Sequence, residues 1–178
     1  MSWVLKSIVF VSCMSTLAFA SAQALVEVEK FVWTDGVDRG NLQFRGILNN
    51  PMHGKTVYLW MQLKGSPALL AALRKRPAGS IPIRHAWYRY TSDAVNADAP
   101  DELDLAVDLQ IGKKEVLGKL QYEVDAKGAF HWRVWSGKKQ LTPGVWRVDL
   151  TYASGVPVVC ASEDDANQPC KFIIEVKR

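Results

Sequence analysis

The sequence lacks most of the motifs from which enzyme and nucleic-acid sites are commonly built. None of its serines sits in a Gly-x-Ser-x-Gly turn, and no glycine-rich phosphate-binding loop is present. Its 22 basic residues nearly balance 18 acidic ones, and the densest basic run is only Arg74-Lys75-Arg76. A nucleic-acid partner would need a clustered positive surface, so we expect none. Solenoid-length repeats and low-complexity tracts are also missing.

Apolar runs of membrane-spanning length are absent as well. The longest, Ile8 to Ala20, holds about 13 residues, whereas a spanning helix takes roughly 20. Lys6 precedes this run, and small-x-small cleavage sites end at Ala20 and at Ala22. We therefore predict a signal peptide over residues 1–22, with cleavage after Ala22 and Ala20 as the alternative site. The mature chain is predicted to be periplasmic or secreted and to contain no transmembrane segment.

Cysteine is scarce, and its distribution follows from the predicted export. Cys13 lies within the signal peptide, which leaves Cys160 and Cys170 in the mature chain. An even number of cysteines in an exported chain predicts a disulfide, worth roughly 3 kcal/mol for a loop of this length. The alternative, a metal-binding pair, lacks a nearby histidine at zinc-site spacing. We predict no metal and no cofactor.

The mature chain, residues 23–178, is built from short stretches in which apolar and polar residues alternate. In the clearest stretch the apolar positions recur every second residue, at Leu103, Leu105, Val107, Leu109 and Ile111. Period-two alternation is typical of half-buried strands, and Gly, Pro and Asn residues separate eight or nine of them. The pattern predicts a single all-β domain, an antiparallel immunoglobulin-like β-sandwich of about 7–9 strands.

One segment has a helical pattern instead. Ser66 is suited to cap a helix, Pro67 to its first position, and Pro77 to its end, with good helix formers between them. We predict one short inserted helix over about residues 67–76. It is expected to cover one end of the sandwich, and a lid or docking helix is the alternative.

Histidine is also rare, with only His53, His85 and His131 in the chain. His85 and His131 lie on different predicted strands, and neither has a second metal ligand at short spacing on its own strand. One alternative is a hydrolase site assembled from these two residues. That hypothesis requires the two imidazoles to approach each other beside a cleft.

Two predicted strands combine aromatic and basic residues, and they supply the candidate binding site. Alternation places three residues of the first strand on one face and three residues of the second strand on one face. The six predicted binding residues are His85, Trp87, Arg89, His131, Arg133 and Trp135. By the same parity we assign Trp132 and Trp146 to the core, and Tyr88 with them. A purely structural ladder across neighbouring strands is the simpler alternative.

These segments resemble a bacterial domain-of-unknown-function family, number 2914, over roughly Phe31 to Val176. The resemblance rests on the order and spacing of six elements: Tyr58-Leu59-Trp60, Leu63-Lys64-Gly65, His85-x-Trp87-Tyr88-Arg89, Trp132-Arg133-x-Trp135-Ser136-x-Lys138, Pro143-Gly144-x-Trp146-Arg147-Val148-Asp149 and Phe172-x-Ile174. It implies a small all-β domain without an established activity, so it assigns no catalytic residues. The insertion from Pro67 to Pro77 and the cysteine loop depart from the family pattern.

Besides the hydrolase hypothesis, two functions are compatible with these observations. The first is an exported, non-enzymatic interaction domain whose partner is a protein or another component of the bacterial cell envelope. The alternative is a module that binds glycan or peptidoglycan through exposed aromatic and basic residues on its strands.

Overall fold

The described part of the chain folds into two packed β-sheets, a small two-stranded sheet (β2 and β3 below) and one short helix. A computed structural model describes residues 26–75, 81–89, 102–111, 122–160 and 170–178, so the predicted signal peptide lies outside the described residues. In chain order the elements are β1 (Val26–Thr34), β2 (Val37–Asp38), β3 (Gln43–Phe44), β4 (Val57–Gly65), α1 (Pro67–Lys75), β5 (Ile81–Arg89), β6 (Glu102–Ile111), β7 (Tyr122–Val124), β8 (Phe130–Lys138), β9 (Gly144–Tyr152), β10 (Val159–Cys160) and β11 (Lys171–Val176).

The order of strands in the sheets is immunoglobulin-like. One sheet has five strands in the order β10-β1-β4-β8-β7, and the other has four in the order β11-β9-β5-β6. In immunoglobulin lettering the two sheets are ABED and GFCC′. Strands A, B, E and D are β1, β4, β8 and β7, and strands G, F, C and C′ are β11, β9, β5 and β6. Neighbouring strands are antiparallel, except that β10 runs parallel to β1. The predicted all-β sandwich is confirmed.

The core lies between the two sheets because every second residue of the central strands faces inward. On β8 the buried residues are Phe130, Trp132, Val134 and Ser136, and on β9 they are Trp146, Val148 and Leu150. Trp132 and Trp146 therefore belong to the core, as predicted. Tyr88 does not: it is half-buried on the outer side of β5, where the Arg147 guanidinium lies 4.8 Å from the centre of its ring.

Helix α1 connects β4 of one sheet to β5 of the other. The backbone N–H of Leu69 donates to Ser66 Oγ at 3.2 Å, which confirms the predicted cap. Leu69, Leu70 and Leu73 are buried in the same hydrophobic cluster as the sheet residues. The helix thus covers part of the core. Its last predicted residue, Arg76, lies outside the described residues.

A folded-back segment covers part of the five-stranded sheet, and a disulfide anchors its edge strand β10. The segment after β1 folds back over the sheet, and the Trp60 Nε1–H donates to the carbonyl oxygen of Leu42 at 2.9 Å. The predicted disulfide joins Cys160 of β10 to Cys170, with the two Cα atoms 5.3 Å apart. It links the strand added beside β1 to the start of β11 in the other sheet.

Candidate functional site

The structure separates the six predicted binding residues into three places. His85 and Trp87 are completely buried between the sheets, with 0% of each side chain exposed. Arg89 is exposed at the end of the same strand, and His131, Arg133 and Trp135 are half-buried on the outer face of the five-stranded sheet. The prediction of one shared aromatic-basic face was wrong. His85 and Trp87 do lie on the same side of β5, as the alternation predicts. That side faces the core, however, because it also carries Ile81 and Ile83.

His85 and Trp87 form a sealed polar cluster with Ser136. Ser136 Oγ lies 2.8 Å from His85 Nδ1, and it accepts a hydrogen bond from the Trp87 Nε1–H at 2.9 Å. All three side chains are buried, and the Trp87 ring also packs edge-on against Trp33, with ring centres 5.7 Å apart. Burial lowers the pKa of His85 to about 3, so the imidazole is neutral. The cluster ties the two sheets together through hydrogen bonds rather than presenting a nucleophile to solvent.

The two imidazoles of the proposed hydrolase site do not meet. His85 lies in the core from the four-stranded sheet, whereas His131 lies on the outer face of the five-stranded sheet. That arrangement was therefore wrong. Among the described residues, no group of three or more histidine, cysteine, aspartate or glutamate side chains is placed to hold a metal ion.

His131 is held between two carboxylates. Its Nδ1 lies 2.7 Å from Glu29 Oε2, and its Nε2 lies 3.5 Å from Asp125 Oδ2. The Gln62 amide also donates to Glu29 Oε2 at 2.7 Å. Partial burial would raise the pKa of Glu29, but the hydrogen bonds from Gln62 and His131 outweigh it and lower the pKa. The pKa of Asp125 is lowered too: hydrogen bonds from the backbone of Ala129 and Lys127 and from His131 outweigh its desolvation.

A bulge brings Glu29 to this cluster. Val28 pairs with Leu63 and Lys30 with Gln62, which leaves Glu29 as an extra residue in β1. Bulges re-aim a side chain that regular pleating would direct elsewhere. The sequence prediction missed Glu29, Gln62 and Asp125, because alternation alone does not reveal which strands become neighbours.

His131, Arg133 and Trp135 form one row on the outer face of β8, here called the outer row. Across the strand pair, Lys64 lies opposite His131, Gln62 opposite Arg133, and Trp60 opposite Trp135. Residues that face each other in this way lie about 5 Å apart at Cβ. The outer row is therefore flanked by a line of long polar side chains that ends at an aromatic residue.

The aromatic end of the outer row is bordered by the segment that folds over the sheet. Phe44 packs edge-on against Trp60 with ring centres 5.2 Å apart, and Lys30 Nζ lies 5.1 Å from the centre of the Phe44 ring. This packing buries Trp60 even though it is on the outer face. Trp135 stays half-exposed beside this covered region.

Arg89 lines a separate space, here called the end cleft, which opens where the two sheets end. The end cleft has a volume of about 210 Å³, and its walls come from Arg89, Asp104, Lys138, Gln140, Thr142 and Trp146. Asp104 of one sheet is ion-paired with Lys138 of the other. The Lys138 ammonium also lies 5.2 Å from the centre of the Trp146 ring.

The backbone is irregular at two places around the end cleft. On β6, Leu105 pairs with Trp87 and Leu103 with Tyr88, so Asp104 is an extra residue in a bulge. Gln140 has a φ of 53°, which is uncommon for a residue other than glycine. Both irregular residues contribute side chains to the walls. Of the cleft residues, only Arg89 was predicted to bind, because the others come from separate strands and a connection.

A larger groove lies between the folded-back segment and the start of β4. It has a volume of about 490 Å³ and is lined by Asp35, Leu48, Asn50, Pro51, Met52, Lys55 and Thr56. Its lining includes three apolar residues, Leu48, Pro51 and the exposed Met52. Within the described residues, no helix is long and apolar enough to cross a membrane.

The comparisons with known proteins give only distant structural similarity. No family model matches the chain, and a search of curated proteins finds no match. The chain is similar to crystal structures of a beta-glucosidase from Listeria innocua in complex with gluconolactone and with isofagomine, at 12% and 11% identity and a TM-score of 0.37 in both cases. The matched region covers 84% of this chain but only 16% of the beta-glucosidase chain. Similarity at this TM-score supports no conclusion about function, and the resemblance to family 2914 stays a prediction.

Proposed function

We propose that the chain is an exported, non-enzymatic binding domain of the cell envelope, and that its partner docks on the outer row. The observation that supports this most directly is the alignment of His131, Arg133 and Trp135 on the outer face of β8, where all three are half-buried. Aromatic and arginine side chains dominate the energetics of many protein interfaces. The Cys160–Cys170 disulfide and the apolar segment at the start of the sequence support export, because disulfides persist mainly in oxidising compartments.

The sealed position of the Ser136 and His85 pair supports a non-enzymatic role. A catalytic serine needs access to substrate and donors that stabilise the developing oxyanion. Here Ser136 is 3% exposed, and its oxygen already accepts the Trp87 N–H. This Ser–His contact therefore serves packing between the sheets.

Removing part of the outer row tests the proposal. The protein, purified after export, is sedimented with isolated cell-envelope material as wild type and as the double variant Arg133→Ala, Trp135→Ala. We expect the double variant to bind at least about tenfold more weakly, as expected for interface residues that each contribute more than about 1 kcal/mol.

Arg84→Ala is the matched control, because Arg84 lies on the other sheet and is exposed in an ion pair with Asp108. Equal binding by the double variant and the wild type, with both folded, would contradict the proposal. Equal loss in the double variant and in Arg84→Ala would also contradict it, since the outer row would then have no special role.

A glycan is the second candidate partner. It is favoured by the position of Trp135 next to Trp60 and diagonal to Gln62, on a face where an indole ring adjoins hydrogen-bonding side chains. We expect peptidoglycan fragments or polysaccharides to change the tryptophan fluorescence and to release heat on binding. No response to either would leave a protein partner as the interpretation.

A further inference from the structure

We propose that the end cleft is a second binding site, and that it takes a small hydroxylated carboxylate of the acidic-sugar class, such as a single uronic acid. This site is separate from the outer row. Arg89 and Lys138 bring two cations to the walls and Asp104 brings one carboxylate, so the lining has one excess positive charge.

Arg89 is the residue suited to hold the carboxylate. Lys138 is already ion-paired with Asp104, whereas no carboxylate whose side chain the structure describes pairs with Arg89. A guanidinium group offers two parallel N–H donors that match the two oxygens of a carboxylate. A monoanion would therefore balance the one excess positive charge among the six described wall residues.

The remaining polar groups match hydroxyls. The Asp104 carboxylate and the Lys138 ammonium lie side by side, as one acceptor and one donor, and a hydroxyl group satisfies both at once. Gln140 adds an amide and Thr142 a hydroxyl, and each of these groups can donate and accept. A ligand with several hydroxyls uses these groups better than a simple fatty acid would.

Trp146 supplies the apolar wall. Its Nε1–H donates to the carbonyl oxygen of Thr142 at 3.0 Å, so the indole contributes its ring rather than its polar group. The ring is only 2% exposed and the Lys138 ammonium lies over it, so the indole forms the floor of the cleft. The volume of about 210 Å³ lies below the roughly 300–1,000 Å³ of pockets for drug-sized ligands, which suits a ligand of one sugar unit.

The same features argue against two other small ligands. A free amino acid would place its ammonium group near two cations, with the one carboxylate of the cleft already engaged by Lys138. A phosphate ester would bring about two negative charges to one uncompensated cation. The acidic sugar is therefore the ligand class that balances both the charge and the hydrogen bonds.

The site also has the rigidity that selective binding needs. Lys138 is fixed by Asp104 on one side and by the Trp146 ring on the other. The bulge at Asp104 and the positive φ at Gln140 are backbone irregularities that carry a conformational cost, and both adjoin the cleft. A preorganised site loses less entropy when its ligand binds.

A titration with D-glucuronate tests the proposal on the exported protein. We expect saturable shifts of the backbone amide signals of Gln140 and Thr142 in proton–nitrogen correlation spectra, with a Kd on the order of millimolar. Glucose, the neutral counterpart, should bind at least about tenfold more weakly, and so should acetate, which has the carboxylate without the hydroxyls.

Arg89→Ala should weaken glucuronate binding about tenfold or more, since it removes charged hydrogen bonds. Arg84→Ala is the matched control: it removes the same residue type from the same strand, away from the cleft, and should bind like the wild type. The proposal is overturned if Arg89→Ala binds glucuronate as tightly as Arg84→Ala. It is also overturned if glucose matches glucuronate, or if glucuronate shifts neither amide at about 100 mM.

The variant Trp135→Ala keeps this test independent of the outer row. It should bind glucuronate unchanged even if it loses the envelope partner. Loss of glucuronate binding in Trp135→Ala, with Arg89→Ala unaffected, would move the acidic-sugar site to the outer row and contradict its assignment to the end cleft.

Discussion

Ser136 shows how much one polar residue can contribute within a mostly apolar core. It occupies the inward position that follows Phe130, Trp132 and Val134 on β8, and it accepts the Trp87 N–H. A buried indole N–H without an acceptor would cost about 1–3 kcal/mol. Trp87 and His85 therefore need a hydrogen-bonding partner on the opposite sheet, and the Ser136 hydroxyl supplies it.

Ser136→Ala tests this requirement. We expect the variant to lower the free energy of unfolding by about 1–3 kcal/mol, because it leaves Trp87 Nε1 and His85 Nδ1 without their partner. Urea unfolding followed by tryptophan fluorescence measures the change. Thr151→Ala, a half-buried hydroxyl residue on β9, is the control and should cost less than the Ser136 variant. Equal losses in the two variants would show that the cluster contributes nothing specific.

At the scale of the element, glycines set how closely neighbouring strands and side chains approach. A Cβ built at Gly65 would lie 2.2 Å from Cε1 of Phe130, and one built at Gly137 would lie 2.4 Å from Cδ1 of Tyr58. The surroundings differ: Phe130 is 1% exposed in the core, whereas Tyr58 is half-buried on the outer face. A similar overlap should therefore have different consequences at the two ends of the β4–β8 pair.

Gly65→Ala is expected to destabilise the fold by about 1–3 kcal/mol, since the Phe130 ring has no free space into which it can move. Gly137→Ala is the matched variant, and it should cost less because Tyr58 can turn towards solvent. The midpoints of thermal unfolding rank the two. A Gly137 variant that is as unstable as the Gly65 variant would show that the outer face is packed as tightly as the core.

The disulfide acts on two elements at once, because it joins β10 to the residue before β11. Reduction, or the double variant Cys160→Ser, Cys170→Ser, should lower the free energy of unfolding by about 3 kcal/mol for a loop of this length. Urea unfolding with and without reductant measures this loss. The variant should not respond further to reductant, and an unchanged midpoint for reduced wild type would contradict the expected contribution.

At the scale of the whole molecule, the alternation of apolar and polar residues predicts some parts of the fold and not others. The presence of the strands, of helix α1 and of the disulfide follows from local patterns and from the number of cysteines, so these features could be predicted. The inward side of β5 could be predicted only by extending the parity from Trp87 back to Ile81 and Ile83, because both sides of the strand carry bulky residues. The site residues Glu29, Asp104 and Gln140 depend on bulges and a positive φ, which period two does not encode.

The stability of the whole molecule should depend on pH through His85. In the unfolded chain a histidine takes up a proton near pH 6.5, whereas burial lowers the folded pKa of His85 to about 3. Between these values the unfolded state binds more protons, so stability is full above about pH 6.5 and falls as pH decreases. The expected slope approaches 1.4 kcal/mol per pH unit below about pH 6.

Urea unfolding between about pH 5 and 6.5 measures this slope before the carboxyls with lowered pKa, Glu29 and Asp125, begin to contribute in the same direction. His85→Gln is the control, because an amide can keep a hydrogen bond to Ser136 without titrating in this range. Its profile should be flatter than that of the wild type. Equal slopes in the two proteins would mean that His85 is not the group that couples protonation to unfolding, and that the buried link between the sheets tolerates a charge.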